Sequence, residues 1–424
     1  MKRCLIVILA CLLSMSVWAA TVVRVLLWDD ALTQALKKGL PIFEQATGIK
    51  VELELVPSGV LLSKSLMAVT PDTSDYDLIA VDEPFVPKMA PLLLPFAQWP
   101  ETDVYPQPDM NDIMPYAVDA GYWRGELWGL PINANVYVWM TRKDLIEQYK
   151  DEFKEEYGYE MTVPYTLTEL LNMAEFLSKK GIYGWAPFTK PTEGSTCEAI
   201  WMFKSFGTDV LEVCEDGYRV VLDKAKAVQA IEFYKELLKY APPGALDYGH
   251  AERIAAFSRG EVFSMFQWPA IIPDHEDPSK SIVAGKIAYT APPAGPAGTF
   301  AIRGCWIVAI PKAAKEKKAA AEFAFWWMAK ETGKSLIPVG LTPARVSLLL
   351  DKEIMAVKPW FIGIFRAMPH AVARPRFEYY PELSSIIRTH WLDAISGRTS
   401  AAEAVDKMLT EIRSLLKEHD LLKG

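Results

Sequence analysis

Cysteine, histidine and positive charge are all scarce in this 424-residue chain. Its five histidines (His250, His275, His370, His390 and His419) are scattered and no C-x-x-C occurs, so nothing supports a zinc or other metal site. Asp and Glu outnumber Lys and Arg, 53 to 45, for a formal net charge of −8. That balance argues against a nucleic-acid binder, which should show a basic stripe. Beyond residue 19 no run approaches the about eighteen uninterrupted apolar residues of a membrane span. There is no G-X-Y period, no low-complexity tract and no repeat of about 20 to 50 residues, which rules out collagen and solenoid architectures. Enzyme signatures are missing too: no G-x-S-x-G, H-E-x-x-H or G-x-G-x-x-G is present. Gly333-Lys334-Ser335 ends like a phosphate loop, but Met328 stands where its first glycine belongs. No cofactor is expected. The reading is of a binding protein and not an enzyme, with a two-carboxylate glycosidase left open as the alternative.

What the chain has is an apolar majority, 51% of residues, and fourteen tryptophans. Its length favours two domains. Residues 1–19 read as a secretory signal peptide: Lys2 and Arg3 precede the apolar Leu5–Leu13, and Val17-Trp18-Ala19 supplies a small-residue cleavage site. The expected location is periplasmic. Cleavage at Cys11 with lipid attachment is the less favoured reading, because the apolar run before it is short. Cys197, Cys214 and Cys305 then remain, and in an oxidising compartment an odd count allows at most one internal bridge. A turn at Gly207 allows Cys214 to return alongside the helix that begins at Cys197, so a Cys197–Cys214 disulfide is expected, with Cys305 free in a buried strand.

Local patterns give an α/β chain. Val22–Trp28 is a β-branched run, and Leu32, Leu36, Leu40, Phe43 and Ala46 follow at helical spacing up to Gly48. Alternation over Ile49–Leu55, a helix over Leu61–Val69 and an apolar run over Asp77–Val81 complete a β-α-β-α-β order, which demands parallel pairing. The proline-rich stretch Leu92–Pro131 reads as irregular. Strand and helix patterns resume over 136–290 as a second α/β unit, and the last hundred residues are mainly helical.

Strand ends carry the functional argument, because open α/β sheets bind ligands outside the carboxyl ends of their strands. Trp28-Asp29-Asp30, Asp82-Glu83 and Trp268-Pro269 occupy such ends. A sugar ring needs an aromatic surface for its C–H face and fixed acceptors for its hydroxyls. Covering about 100 Å² of apolar surface contributes about 2.5 kcal/mol. Two stacked rings with charge-assisted hydrogen bonds thus approach the ~8 kcal/mol of micromolar binding. Acidic residues before helices also serve as N-caps, and tryptophans also fill cores, as expected of Trp326-Trp327. Asp82-Glu83 beside Trp28 would suit a cation such as a polyamine nearly as well.

Several segments, in this order and spacing, resemble the family 1 bacterial extracellular solute-binding proteins, the sugar-binding components of ABC importers. They are Phe43–Val51, Tyr76–Asp82, Gly129–Tyr137, Trp268-Pro269, Asp277–Ser281 with Gly285-Lys286-Ile287, Gly304–Pro311 and Gly340–Arg345. The resemblance implies a two-lobed, type II periplasmic-binding-protein fold, maltose-binding-protein-like, with a ligand cleft between lobes that close like a hinge. It divides the chain into a lobe of 20–131 plus 300–345 and a lobe of 132–299 plus 346–424. It also implies a monomer that carries a sugar or polyol to inner-membrane permease subunits. Carried over residue by residue, the ligand contacts are Trp28, Asp82, Glu83, Asn135, Trp268 and Trp306, with Asp29 and Arg345 as further candidates. Gly304-Cys305-Trp306 departs from the family's usual Gly-Gly-Trp, and Phe188, Lys190 or Glu193 are expected to shape specificity.

Overall fold

The computed structural model describes residues 21–423. Residues 1–19, read from sequence as a signal peptide, and Cys11 lie outside the described residues. The first strand, Val22–Trp28, lies between Lys50–Val56 and Leu78–Asp82 and pairs parallel to both. The helix that links the first two strands, Ala31–Thr47, begins at an Asp30 N-cap that exchanges hydrogen bonds with Thr33. It ends at Gly48 in the left-handed conformation (φ 72°), which glycine adopts without strain. The strand Trp306–Ala309 then joins the sheet antiparallel to Leu78–Asp82, and Leu130–Pro131 forms the far edge.

A second, four-stranded sheet orders Ile287–Thr290, Val138–Arg142, Val262–Gln267 and Tyr183–Trp185. All the residues of Val138–Arg142 and Val262–Gln267 are buried, as in strands covered on both faces. The helices Tyr380–Ile395 and Ala401–Glu418 pack on each other and on Glu193–Ser205 and Lys224–Leu238. Trp139, Trp185, Trp201, Trp326, Trp327 and Trp391 fill the interior, so much of the tryptophan excess is core. Leu92–Pro131 is less irregular than its prolines imply: Pro115 starts a helix to Gly121, at a position where a missing N–H costs nothing.

Two segments that connect the sheets run side by side. Tyr137 N–H donates to the Ile302 carbonyl (2.9 Å), Gly304 N–H to Asn135 (3.0 Å) and Ile132 N–H to Trp306 (3.1 Å). A third segment joins them where Ala301-Ile302 pairs with Ala371-Val372. The expected disulfide is corrected here: Cys197, Cys214 and Cys305 are all free. Cys197 is buried toward Tyr137 and Arg374, whereas Cys214 sits at the tip of the hairpin Leu211–Cys214/Gly217–Val220, near Lys423.

Candidate ligand-binding site

Pairing geometry gathers aromatic residues at one end of the first sheet. Trp28 closes a parallel strand and Trp306 opens an antiparallel one, so both lie at the same end, with Asp82 directly across from Trp306. The two indoles stack, centroids 4.4 Å apart and planes inclined by 23°. Thr33 anchors this end by donating its hydroxyl hydrogen to the Trp28 carbonyl (2.7 Å). Beside Trp306 and Asp82 a small pocket opens, walled by Ser58, Leu61, Leu62, Phe85 and Met89.

The second sheet contributes Trp268, one residue beyond Val262–Gln267. Its ring lies 4.3 Å from that of Tyr137, which stacks on Phe266 at 3.7 Å. It also presses on the connecting ribbon: a methyl group added at Gly304 would stand 2.8 Å from Trp268 Cη2. Gly304 is two residues from Trp306. Aromatic residues from both sheets therefore converge where the chain crosses between them, with Trp268 and Trp306 half-buried.

Charge is organised around the same point. Arg374 donates to Asp82 Oδ1 (2.6 Å) and to Glu193 Oε1 (3.1 Å). Glu193 also accepts the hydroxyls of Tyr380 and Ser384. Burial pushes the Asp82 carboxyl up, and the Arg374 guanidinium opposes that shift. Glu83 is fully buried; burial pushes it up as well, against the pull of Arg303, which donates to its Oε1 at 2.7 Å.

The sequence pattern of the bacterial extracellular solute-binding proteins matches residues 28–334. The chain belongs to that family. Among its relatives, a "Probable ABC transporter-binding protein" of Deinococcus radiodurans is 27% identical over 350 residues, covering 80% of this chain and 79% of the other. A mannitol-binding protein of Pseudomonas aeruginosa is 26% identical over 53% of this chain and 50% of its own. Among solved structures, a maltose-bound T. maritima protein superposes with a TM-score of 0.78 at 24% identity, covering 94% of this chain and all of that one. A ribitol complex of an Agrobacterium radiobacter K84 solute-binding protein reaches 0.79 at 24% identity over 93% and 98%. These two likenesses show the fold: the solute-binding protein is two-lobed.

Within this solute-binding protein the residues singled out from sequence separate into two groups. Trp28, Asp82, Trp268, Trp306 and Asn135 come together at the crossing ribbon, where Asn135 donates its amide to the Gly304 carbonyl (2.8 Å). Asp29 is exposed at the rim and accepts from Gln34 (2.7 Å). Glu83 and Arg345 are committed elsewhere. Glu83 is sealed against Arg303, and Arg345 donates to Asp112 (2.6 Å) and to the Met328 carbonyl (2.5 Å). Of the three residues expected to shape specificity, only Glu193 reaches Asp82 through Arg374. Phe188 packs under His250, and Lys190 lies at the surface beside Glu252. Arg374, Tyr137 and Tyr380 went unmarked in the sequence. Nothing local distinguishes Arg374 from Arg376, which caps the end of Pro115–Gly121 through the Asp119 and Ala120 carbonyls.

Proposed function

We propose that this solute-binding protein is a periplasmic receptor that holds an uncharged sugar or polyol between its lobes and delivers it to an inner-membrane ABC permease. The lobes are assigned as 20–131 plus 300–345 and 132–299 plus 346–424. The observation that carries the reading is the stacked Trp28–Trp306 pair beside a carboxylate already matched by an arginine, with Trp268 at the adjoining ribbon. Trp306, backed by the buried Trp28, and Trp268 supply surfaces for C–H faces, and Asp82, held by Arg374, supplies a fixed hydroxyl acceptor. The relatives point the same way, since those named above include proteins bound to maltose and ribitol and one named for mannitol. A polyamine fits less well, because Asp82 and Glu83 each face a guanidinium already. A glycosidase needs two carboxylates with separate roles, whereas Asp82 and Glu193 share Arg374.

The test is a thermal-shift screen of the mature protein with maltose, mannitol, ribitol and spermidine. A ligand held only by the fold at a hundred times its Kd adds about 2.7 kcal/mol of stability. A rise in Tm with a sugar or polyol is expected. A rise with spermidine alone, or none with the three neutral compounds, would overturn the reading.

A further inference from the structure

Arg374 occupies an unusual position. It is 2% exposed, and its two terminal nitrogens are shared between carboxylates that belong to different lobes. Asp82 ends a strand of the first sheet, and Glu193 opens the helix Glu193–Ser205 beside the second. Its third nitrogen, the buried Nε, has no hydrogen-bond partner among the described residues. An unmade bond on a buried guanidinium is costly unless something fills it. The surroundings are balanced in charge. Asp82 and Glu193 face Arg374, and Arg388 reaches the Ser384 hydroxyl that Glu193 accepts. Next to them Glu83 and Asp119 face Arg303 and Arg376.

Removing Arg374 from this arrangement leaves Asp82 and Glu193 facing a shared void of guanidinium size. In a poorly solvated site, attraction for a cation then rises steeply. Removing one carboxylate does the reverse. The geometry points to Arg374 as the specificity-determining residue of the cleft: by bridging Asp82 of one lobe and Glu193 of the other, with Arg388 behind Glu193, it offsets the charge a ligand would otherwise have to match, so the cleft takes an uncharged polyol and refuses a cation of the same size. This deepens the receptor reading above and rests on the cleft being the ligand site. It works as selection against the wrong partner as much as for the right one.

Sorbitol, glucamine and gluconate test it, because they share a six-carbon chain and differ by one terminal group that is neutral, cationic or anionic. Their affinities are compared by calorimetry on the mature protein and its variants. Wild-type protein should prefer sorbitol to both charged relatives. R374M should move the glucamine-to-sorbitol affinity ratio at least tenfold toward the amine, and R374K should keep the wild-type order. D82N should move the ratio toward gluconate, and it carries the test should R374M fail to fold. A folded R374M with ratios within twofold of wild type would overturn the role of Arg374, as would a folded D82N without any gain for gluconate. Should wild-type protein bind none of the three, the polyol reading falls for this chain length. A gain of glucamine in R374M would still uphold the role assigned to Arg374, and no gain would still overturn it.

Discussion

Trp28 and Trp306 stack on each other at 4.4 Å although 278 residues of sequence separate strand from strand; the sheet order, which places only Leu78–Asp82 between them, makes the contact. Trp28 is the inner member, 4% exposed, and Trp306 the outer, half-buried one. Their roles should therefore separate on truncation. Trp306→Ala should weaken the binding of whichever sugar or polyol the screen identifies by roughly 2 kcal/mol, about thirtyfold, with little loss of stability. Trp28→Ala should in addition cost about 3–5 kcal/mol of folding free energy. Calorimetry and urea denaturation read the two effects. Unchanged affinity in a folded Trp306→Ala protein would return that indole to a packing role.

Gly304 is the point where Trp268 meets the connecting ribbon. A Cβ there lies 2.8 Å from Trp268 Cη2 and 3.2 Å from Asn135 Nδ2, too close for either to stay where it is. Gly304→Ala should displace the ring and weaken ligand binding by about tenfold, with a stability cost of about 1–3 kcal/mol from overpacking. Trp268→Phe on the same background removes the clashing atoms. The two changes should then be non-additive in stability, coupled by about 0.5–3 kcal/mol. Simple additivity would mean that the ribbon moves freely and Trp268 is not braced against it.

Much of this architecture is written locally. The Gly48 cap, the alternation through Lys50–Val56 and the apolar run of Leu78–Asp82 depend on neighbours a few residues away. Local periodicity therefore reads them well. The fate of a charged side chain is different, because it is settled by partners far along the chain. Asp82 and Glu83 are adjacent and look alike, yet Arg374, 292 residues on, holds one at the cleft, and Arg303, 220 residues on, seals the other in the interior. Arg345 likewise follows a Gly and a Pro at a crossing and still turns inward to Asp112. Trp326 is legible as core from its helical run, whereas the place of Trp306 beside Asp82 is set by strand register. Residue type identified candidates, and topology chose among them.

The cysteines give a direct check on the corrected pairing. Burial pushes the Cys197 thiol up to about 12 and Cys305 up as well, so neither presents a thiolate at neutral pH. Cys214 is half-exposed on its hairpin. A thiol reagent should therefore modify one cysteine, Cys214, in the native mature protein and all three after denaturation without reductant. A single reactive thiol in the denatured chain would restore the Cys197–Cys214 bridge.

The last prediction concerns pH. Glu198 is wholly buried; its Oε1 accepts the Phe188 N–H (2.6 Å) and its Oε2 the Tyr234 hydroxyl. Burial pushes its carboxyl up to about 8, outweighing the pull of Arg253 and of the two hydrogen bonds. In the unfolded chain the same group titrates at its ordinary value near 4.5. Between those limits the native protein keeps a proton that the unfolded chain has released, so the unfolded state binds fewer protons and stability falls as pH rises. The contribution is fully present below about pH 4.5 and is lost as pH climbs through about 8. Glu198→Gln leaves an acceptor for Phe188 and a neutral amide for Tyr234, and removes the titration. The variant should therefore gain on the wild type steadily from pH 5 to pH 8 in urea denaturation, while other buried carboxyls such as Asp82 and Glu83 act alike in both proteins and drop out of the difference. Parallel stability curves across that range would mean that Glu198 is already ionised in the native lobe, held by Arg253.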